Sequence, residues 1–151
     1  MKIIEDNLTS DAIINFLQEH LDDMKAITPP ENVFALDLDG LRAPEITFWS
    51  IWDEDDLVGS GALKELDSVS GEIKSMRTST KHRGKGVASR VLEHIISTAK
   101  SRSYESLYLE TGSFEAFGAA RALYEKYGFE YCGPFADYEE TPDNVFMLKM
   151  L

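Results

Sequence analysis

The sequence predicts a mixed α/β fold in which a largely antiparallel, twisted sheet is flanked by helices. A β-branched and aromatic run at residues 46–52 and a second predicted strand at residues 57–66 are separated by a short acidic turn and predict a β-hairpin. Residues 72–102 then read as a strand, a basic glycine loop and a helix. Residues 106–132 repeat the alternation of strand and helix. Alternation in the middle of the chain with hairpins towards its ends is typical of a mixed sheet.

Length and composition predict one globular domain spanning residues 1–151. The chain is 43% hydrophobic and 28% charged, and this length allows a domain to bury roughly two thirds of its unfolded surface. We expect neither a signal peptide nor a membrane partner, because the N terminus is acidic and no apolar run is long enough. A single cysteine, Cys132, fits a reducing, cytoplasmic compartment. Ligand spacings such as Cys-x-x-Cys are absent, so no metal site is expected.

The N-terminal third begins with a predicted edge strand at residues 2–5. A helix follows, capped by Thr9 or Ser10 and running to about Met24, before two prolines end it. Its apolar face is formed by Ile13, Ile14, Leu17, Leu21 and Met24. Residues 33–41 are compatible with either a short helix or a covering loop.

The predicted hairpin leads into the central unit. Gly59 and Gly61 weaken the interior of its second strand and indicate a bulge. The next strand covers residues 72–78, and residues 81–86 form the glycine loop. From Val87 the apolar residues recur at helical spacing, which predicts a helix to about Arg102. That helix has an apolar face consisting of Val87, Val91, Leu92, Ile95, Ile96 and Ala99.

Three further strands and one helix complete the predicted fold. Residues 106–110 form a strand, and Gly128 ends the helix that follows it. The apolar face of this helix comprises Ala116, Ala120, Leu123, Tyr124 and Tyr127. Residues 129–132 and 145–150 are the last two strands.

The junction between glycine loop and helix predicts an anion site. A helix that opens on glycines presents unpaired N–H groups at the positive end of its dipole, and phosphate is the usual anion there. Residues 74–102 carry eight of the 15 basic residues and one of the 27 acidic ones, a local charge of +7 within a chain of −12. This basic segment in an acidic protein favours one polyanionic ligand and argues against nucleic acid as a partner. A solvated basic loop is the alternative.

These residues resemble a known family. The run Arg83-Gly84-Lys85-Gly86-Val87-Ala88 is similar to the Arg/Gln-x-x-Gly-x-Gly/Ala motif of the GNAT N-acetyltransferase superfamily. Residues 122–129, ALYEKYGF, resemble the closing helix and turn of the same superfamily. The resemblance covers residues 71–132 and more loosely the whole chain, and it implies a GNAT-type fold and acetyl-CoA as donor.

The resemblance implies how the donor binds. Main-chain N–H groups of Gly84, Gly86, Val87 and Ala88 would take the pyrophosphate, because glycine lets the backbone approach an anion. Arg83 would order the loop or meet a phosphate, while Lys81 and Lys85 add a favourable field. Ser89 can donate its hydroxyl. The pantetheine arm would pair with the main chain of Met76, Arg77 and Thr78, as an added strand does.

The implied reaction is direct attack of a primary amine, on a small molecule or a protein, at the thioester. The amine must first lose a proton, and the leaving thiolate must gain one. Tyr124 matches the superfamily's thiolate-protonating tyrosine, although its place on an apolar helix face also fits a core residue. Glu72 and Glu110 are both candidates for the base, and each could equally be a solvated carboxylate at a strand end.

One departure, one alternative function and two open questions accompany this interpretation. The superfamily often has an asparagine seven residues before the tyrosine, where this chain has Phe117. A non-catalytic acyl-CoA-binding or sensing module with the same fold is the alternative function. Dimerisation, which is common in the superfamily, and the identity of the amine are left open by the sequence.

Overall fold

A computed structural model describes residues 1–27 and 38–151. Its sheet has seven strands in the order β1-β2-β3-β4-β5-β7-β6. The strands are β1 (Lys2–Glu5), β2 (Ile46–Asp53), β3 (Asp56–Glu65), β4 (Ser70–Thr78), β5 (Ser106–Gly112), β6 (Glu130–Cys132) and β7 (Asn144–Met150). The helices are α1 (Asp11–Ile27), α2 (Leu38–Leu41), α3 (Val87–Ser101) and α4 (Gly118–Lys126).

The sheet is antiparallel everywhere except between β4 and β5. Those two strands are parallel because α3 carries the chain back across the sheet between them, as a crossover connection requires. The predicted mixed, largely antiparallel class is therefore confirmed, and β1 is an edge strand as expected.

The helices pack against opposite faces of the sheet. Apolar residues of α3 share one buried cluster with Leu63, Ile73 and Leu109. Phe16 and other residues of α1 form a second cluster with Phe48 on the other face. Side chains that alternate along β4 therefore point either to α3 or to the face covered by α1.

Two glycines of β3 let α3 lie close to the sheet. A Cβ on Gly59 would come within 2.7 Å of Val87 Cγ1, and one on Gly61 within 2.4 Å of Val91 Cγ1. The predicted irregularity is also present, because the register shifts once beside Gly59 and once opposite Gly61. At the second shift two residues of β4, Ser75 and Met76, face one residue of β3, and Ser75 has a φ of 53°.

The strands β4 and β5 part just before this bulge. Their register runs from Ser70–Ser106 to Ile73–Leu109 and then stops. The strand β4 continues to Thr78 beside β3 alone, and β5 continues to Gly112 beside β7 alone. A gap between two parallel strands therefore opens in the middle of the sheet.

Most predicted elements are found within a few residues of their expected limits. The Ser10 hydroxyl caps α1 by accepting from the Ile13 N–H at 3.3 Å. Phe16 is buried beside the predicted face of that helix, whereas Ala116 lies in an exposed 3₁₀ turn before α4 and not on its apolar face. Residues 33–37 of the ambiguous segment lie outside the described residues, and Leu38–Leu41 is helical. Over the described ranges, no helix combines the length and apolar character needed to cross a membrane.

Candidate active site

The glycine loop has the geometry of an anion site. Gly84 and Gly86 have φ values of 78° and 80°, a left-handed conformation that side chains with a Cβ adopt only with strain. Gly86 is the N-cap of α3, and no side chain caps this helix end. The first helical hydrogen bond runs from the Arg90 N–H to the Gly86 carbonyl at 3.1 Å. The N–H groups of Val87, Ala88 and Ser89 therefore remain available at the positive end of a 15-residue helix.

One side chain at the end of the loop is buried, whereas the basic side chains of the loop are exposed. Val87 is buried in the α3 cluster and fixes the loop to the sheet. Lys81, Arg83 and Lys85 are exposed. Within residues 1–27 and 38–151, Arg83 makes no hydrogen bond or ion pair that would order the loop, which leaves it available to a ligand.

The three predicted residues at the end of β4 differ in where their side chains point. Met76 lies towards α3, since a Cβ on Gly61 would be 3.2 Å from its sulfur. The Arg77 side chain is only 7% exposed and turns towards α1, where it bonds Asp23 Oδ2 at 2.9 Å and contacts His20 Nδ1 at 3.2 Å. Of Arg77, therefore, only the main chain can face the gap. The main chains of Met76 and Thr78 lie along the same free edge of β4.

The two predicted carboxylates lie beside the point where the strands part. The last paired position of β4 and β5 is Ile73 with Leu109. Glu72 directly precedes Ile73 in the chain, and Glu110 directly follows Leu109. Glu72 is 2% exposed, yet Lys74 Nζ lies 3.3 Å from its Oε2 and the Tyr138 hydroxyl donates to the same oxygen. Glu72 is therefore a buried carboxylate that already accepts from two donors.

Glu110 has a less complete set of partners. It is half-buried, and its hydrogen bond from Asn144 Nδ2 is long, at 3.5 Å. Burial raises the pKa of Glu110, and the charge of Glu72 raises it further, while Asn144 and Lys74 act in the opposite direction. Glu110 therefore has fewer hydrogen-bond partners than Glu72 among the described residues, and its pKa lies above that of an ordinary glutamate.

Tyr124 lies on the other face of the sheet. It belongs to the α3 cluster that also holds Ile73 and Leu109, and its ring meets Phe129 edge-on at 5.8 Å. Burial raises its pKa well above the ordinary value of 10.0, so the phenol keeps its proton throughout the physiological range. The structure does not bring Tyr124 into contact with Glu72 or Glu110.

Sequence reasoning missed three polar side chains of this region. Lys74 and Tyr138 hold Glu72, and Asn144 bonds Glu110. The alternation of β4 could have placed Lys74 on the same face as Glu72. No local pattern could have revealed Tyr138, because 66 residues separate it from Glu72.

Comparison with known proteins agrees with this geometry. The model of the acetyltransferase (GNAT) family matches residues 12–129. The chain is 57% identical over the full length of both chains to "Uncharacterized N-acetyltransferase YsnE" of Bacillus subtilis (strain 168). It is 45% identical to "Uncharacterized N-acetyltransferase YedL" of Escherichia coli (strain K12), over 94% of this chain and 89% of that protein.

A solved structure supports the fold independently. A GNAT family acetyltransferase from Elizabethkingia anophelis with acetyl-CoA bound superposes with a TM-score of 0.69. It is 17% identical in sequence, and the match covers 99% of this chain and 97% of that one. The fold, the glycine loop and the matched family model together establish that this chain belongs to the GNAT acetyltransferase family.

Proposed function

We propose that this protein is an acetyl-CoA-dependent N-acetyltransferase that moves the acetyl group to a primary amine in a ternary complex. The observation that carries the proposal is the placement of an uncapped helix N terminus directly beyond a gap in the sheet. A ligand held at the loop by its diphosphate can extend along the free edge of β4 towards Glu110. In this arrangement the acyl end of a thioester carrier would lie where an amine can meet it.

Donor binding would use the main chain more than side chains. The N–H groups of Gly84, Gly86, Val87 and Ala88 would hold the diphosphate, and the Ser89 hydroxyl would add a donor. Arg83 is exposed and without a protein partner among the described residues, which favours contact with a phosphate over ordering of the loop. Met76, Arg77 and Thr78 would pair with the pantetheine amides along the strand edge that β5 leaves free.

Glu110 is the better of the two candidate bases. Glu72 is buried and already accepts from Tyr138 and Lys74, so a substrate amine cannot reach it easily. Glu110 is half-buried, weakly bonded and raised in pKa, which are the properties of a general base. It would take a proton from the ammonium of the acceptor, directly or through a water molecule, and the neutral nitrogen would then attack the thioester carbonyl.

Tyr124 would complete the transfer from the opposite face of the gap. As the carbon–nitrogen bond forms and the carbon–sulfur bond breaks, the leaving thiolate needs a proton or a hydrogen bond. The phenol is protonated at working pH, and no hydrogen-bond partner among the described residues competes for it. These properties support an acid or sulfur-binding role for Tyr124.

A thiol-release assay tests the proposal. The purified protein would be incubated with acetyl-CoA and polyamines, amino acids, aminoglycosides or lysine peptides, and free CoA would be measured with a thiol reagent. Release that depends on both substrates, with an acetylated amine found by mass spectrometry, is the expected result. Tight binding of acetyl-CoA without release for any amine would favour the non-catalytic sensing module instead.

A further inference from the structure

A closed triangle of polar contacts joins the loop between β6 and β7 to β4. The Tyr138 hydroxyl donates to Glu72 Oε2 and accepts from Lys74 Nζ at 3.0 Å. Lys74 Nζ also lies 3.3 Å from Glu72 Oε2 and 5.6 Å from the centre of the Tyr138 ring. The Glu72 carboxylate is therefore fixed by two donors that themselves touch each other.

The ring of Tyr138 is fixed as firmly as its hydroxyl. It packs edge-on against Phe135, with ring centres 5.1 Å apart, and lies 5.8 Å from Phe146 of β7. Phe135 in turn meets Tyr108 of β5 at 4.9 Å. This packing seats residues 133–143 on the sheet face covered elsewhere by α1, so the Tyr138 hydroxyl has little freedom to leave Glu72.

The carboxylate of Glu72, which Tyr138 fixes in place, acts electrostatically on Glu110. Glu72 and Glu110 lie on the same face of the neighbouring strands β4 and β5, where burial raises the pKa of Glu110 most and the charge of Glu72 raises it further, against the larger opposing effects of Asn144 and Lys74. If the Tyr138 hydroxyl were removed, the Glu72 carboxylate would lose one of the two contacts that fix it, and its effect on Glu110 would weaken. Tyr138 can therefore influence a base that it does not touch.

We propose that Tyr138 is a positioning residue for acetyl transfer: its hydroxyl, together with Lys74 Nζ, fixes the buried Glu72 carboxylate on the sheet face that also carries Glu110, the proposed base. This inference rests on the proposed function for its catalytic part. The charged and titratable groups that face Glu72 are Lys74 on its own strand, Tyr138 from the loop and Glu110 from β5. In the strand registers, Lys64 of β3 and Tyr108 of β5 stand opposite Glu72.

The test compares Tyr138→Phe with Tyr131→Phe. The first variant loses one hydroxyl and keeps the ring, while Tyr131 is 54% exposed on the edge strand β6 and serves as the matched control. A hydrogen bond to a charged group is involved, so we expect kcat of Tyr138→Phe to fall by about 10- to 100-fold with KM for acetyl-CoA unchanged. The acidic limb of its pH–rate profile should also move to lower pH. Tyr131→Phe should match the wild type in all three measurements.

A double variant separates positioning from general loss of structure. If Tyr138 acts through Glu72, then Glu72→Gln/Tyr138→Phe should be no slower than Glu72→Gln alone. Multiplying losses in the double variant, or an unchanged kcat in Tyr138→Phe, would overturn the proposal.

A measurement without substrate keeps this inference distinct from the proposed function. NMR titration of 13C-carboxyl-labelled glutamate should show Glu110 titrating at lower pH in Tyr138→Phe than in the wild type, because the charge of Glu72 raises the pKa of Glu110. A wild type that turns over no amine would refute the proposed function, whereas an unchanged titration of Glu110 in Tyr138→Phe would refute the role of Tyr138. The two failures are therefore distinguishable.

Discussion

Val91 of α3 lies so close to Gly61 of β3 that a Cβ on the glycine would be 2.4 Å from Val91 Cγ1. The same position is crowded by Ile95 at 3.1 Å and by the Met76 sulfur at 3.2 Å. This contact fixes the height of α3 above the sheet and therefore the place where its N terminus presents N–H groups to a ligand. The proposed donor site thus requires that position 61 carry no side chain.

Gly61→Ala should destabilise the protein by roughly 1–3 kcal/mol, because an added methyl group in a packed core forces its neighbours to move. Urea unfolding measures this loss. Gly133→Ala is the control, since no atom lies within 4 Å of a Cβ at that position. Equal stability of the two variants would contradict the close packing of α3 on β3.

Gly86→Ala should weaken acetyl-CoA binding by about 10-fold or more, because a residue with a Cβ held at φ 80° costs roughly 1–2 kcal/mol and disturbs the N–H groups of the loop. Isothermal titration calorimetry with acetyl-CoA measures the affinity. Gly118→Ala, at an ordinary helical φ of −60°, is the control and should bind the donor normally. Normal binding by Gly86→Ala would argue against this loop as the diphosphate site.

Tyr124→Phe should lower kcat by about 10-fold or more while leaving the affinity for acetyl-CoA nearly unchanged, because proton transfer by a positioned side chain typically contributes 10²–10⁴-fold. Steady-state thiol release and calorimetry together separate the two effects. An unchanged kcat would make Tyr124 a core residue only, which its burial against Phe129 also permits.

Glu110→Gln should abolish the acidic limb of the pH–rate profile and lower kcat/KM. The pKa of this carboxyl is raised in the folded state, so its favourable contribution is complete below the unfolded pKa and is lost as pH rises through the folded value. The variant should therefore gain stability relative to the wild type at pH 7 and not at pH 4. Thermal melts at the two pH values measure this difference, and a gain at pH 4 alone would refute the assigned shift.

We expect the free energy of unfolding to fall in mild acid because of His20. Burial, together with the positive charge of Arg77, lowers the pKa of His20 to about 4, against the opposing effect of Asp23. The unfolded chain then binds a proton that the folded chain does not, so stability present above pH 6.5 is lost as pH falls towards 4, by up to roughly 3 kcal/mol.

His20→Gln removes this titration. Urea unfolding at pH 7 and at pH 4.5 should show a smaller acid-induced loss in the variant than in the wild type. Equal losses in both proteins would show that His20 does not titrate as its burial requires.

The sequence by itself determined the local features of the donor site. The left-handed positions of Gly84 and Gly86, the start of α3 at Val87 and its apolar face all follow from residues close together in the chain. Helical periodicity and glycine conformations act over a few residues, so they can be predicted without tertiary information. The order of strands and helices followed in the same way.

Only the tertiary structure decided how the chemical groups meet. Tyr138 reaches Glu72 because β6 and β7 return the chain beside β5, and the gap beside Glu110 exists because the pairing of β4 with β5 stops at Ile73 and Leu109. Arg77 lies on the strand that is predicted to pair with the acetyl donor, and its side chain turns to α1, where it meets Asp23. These relationships depend on sheet register and on contacts between residues far apart in the chain, which no local spacing encodes.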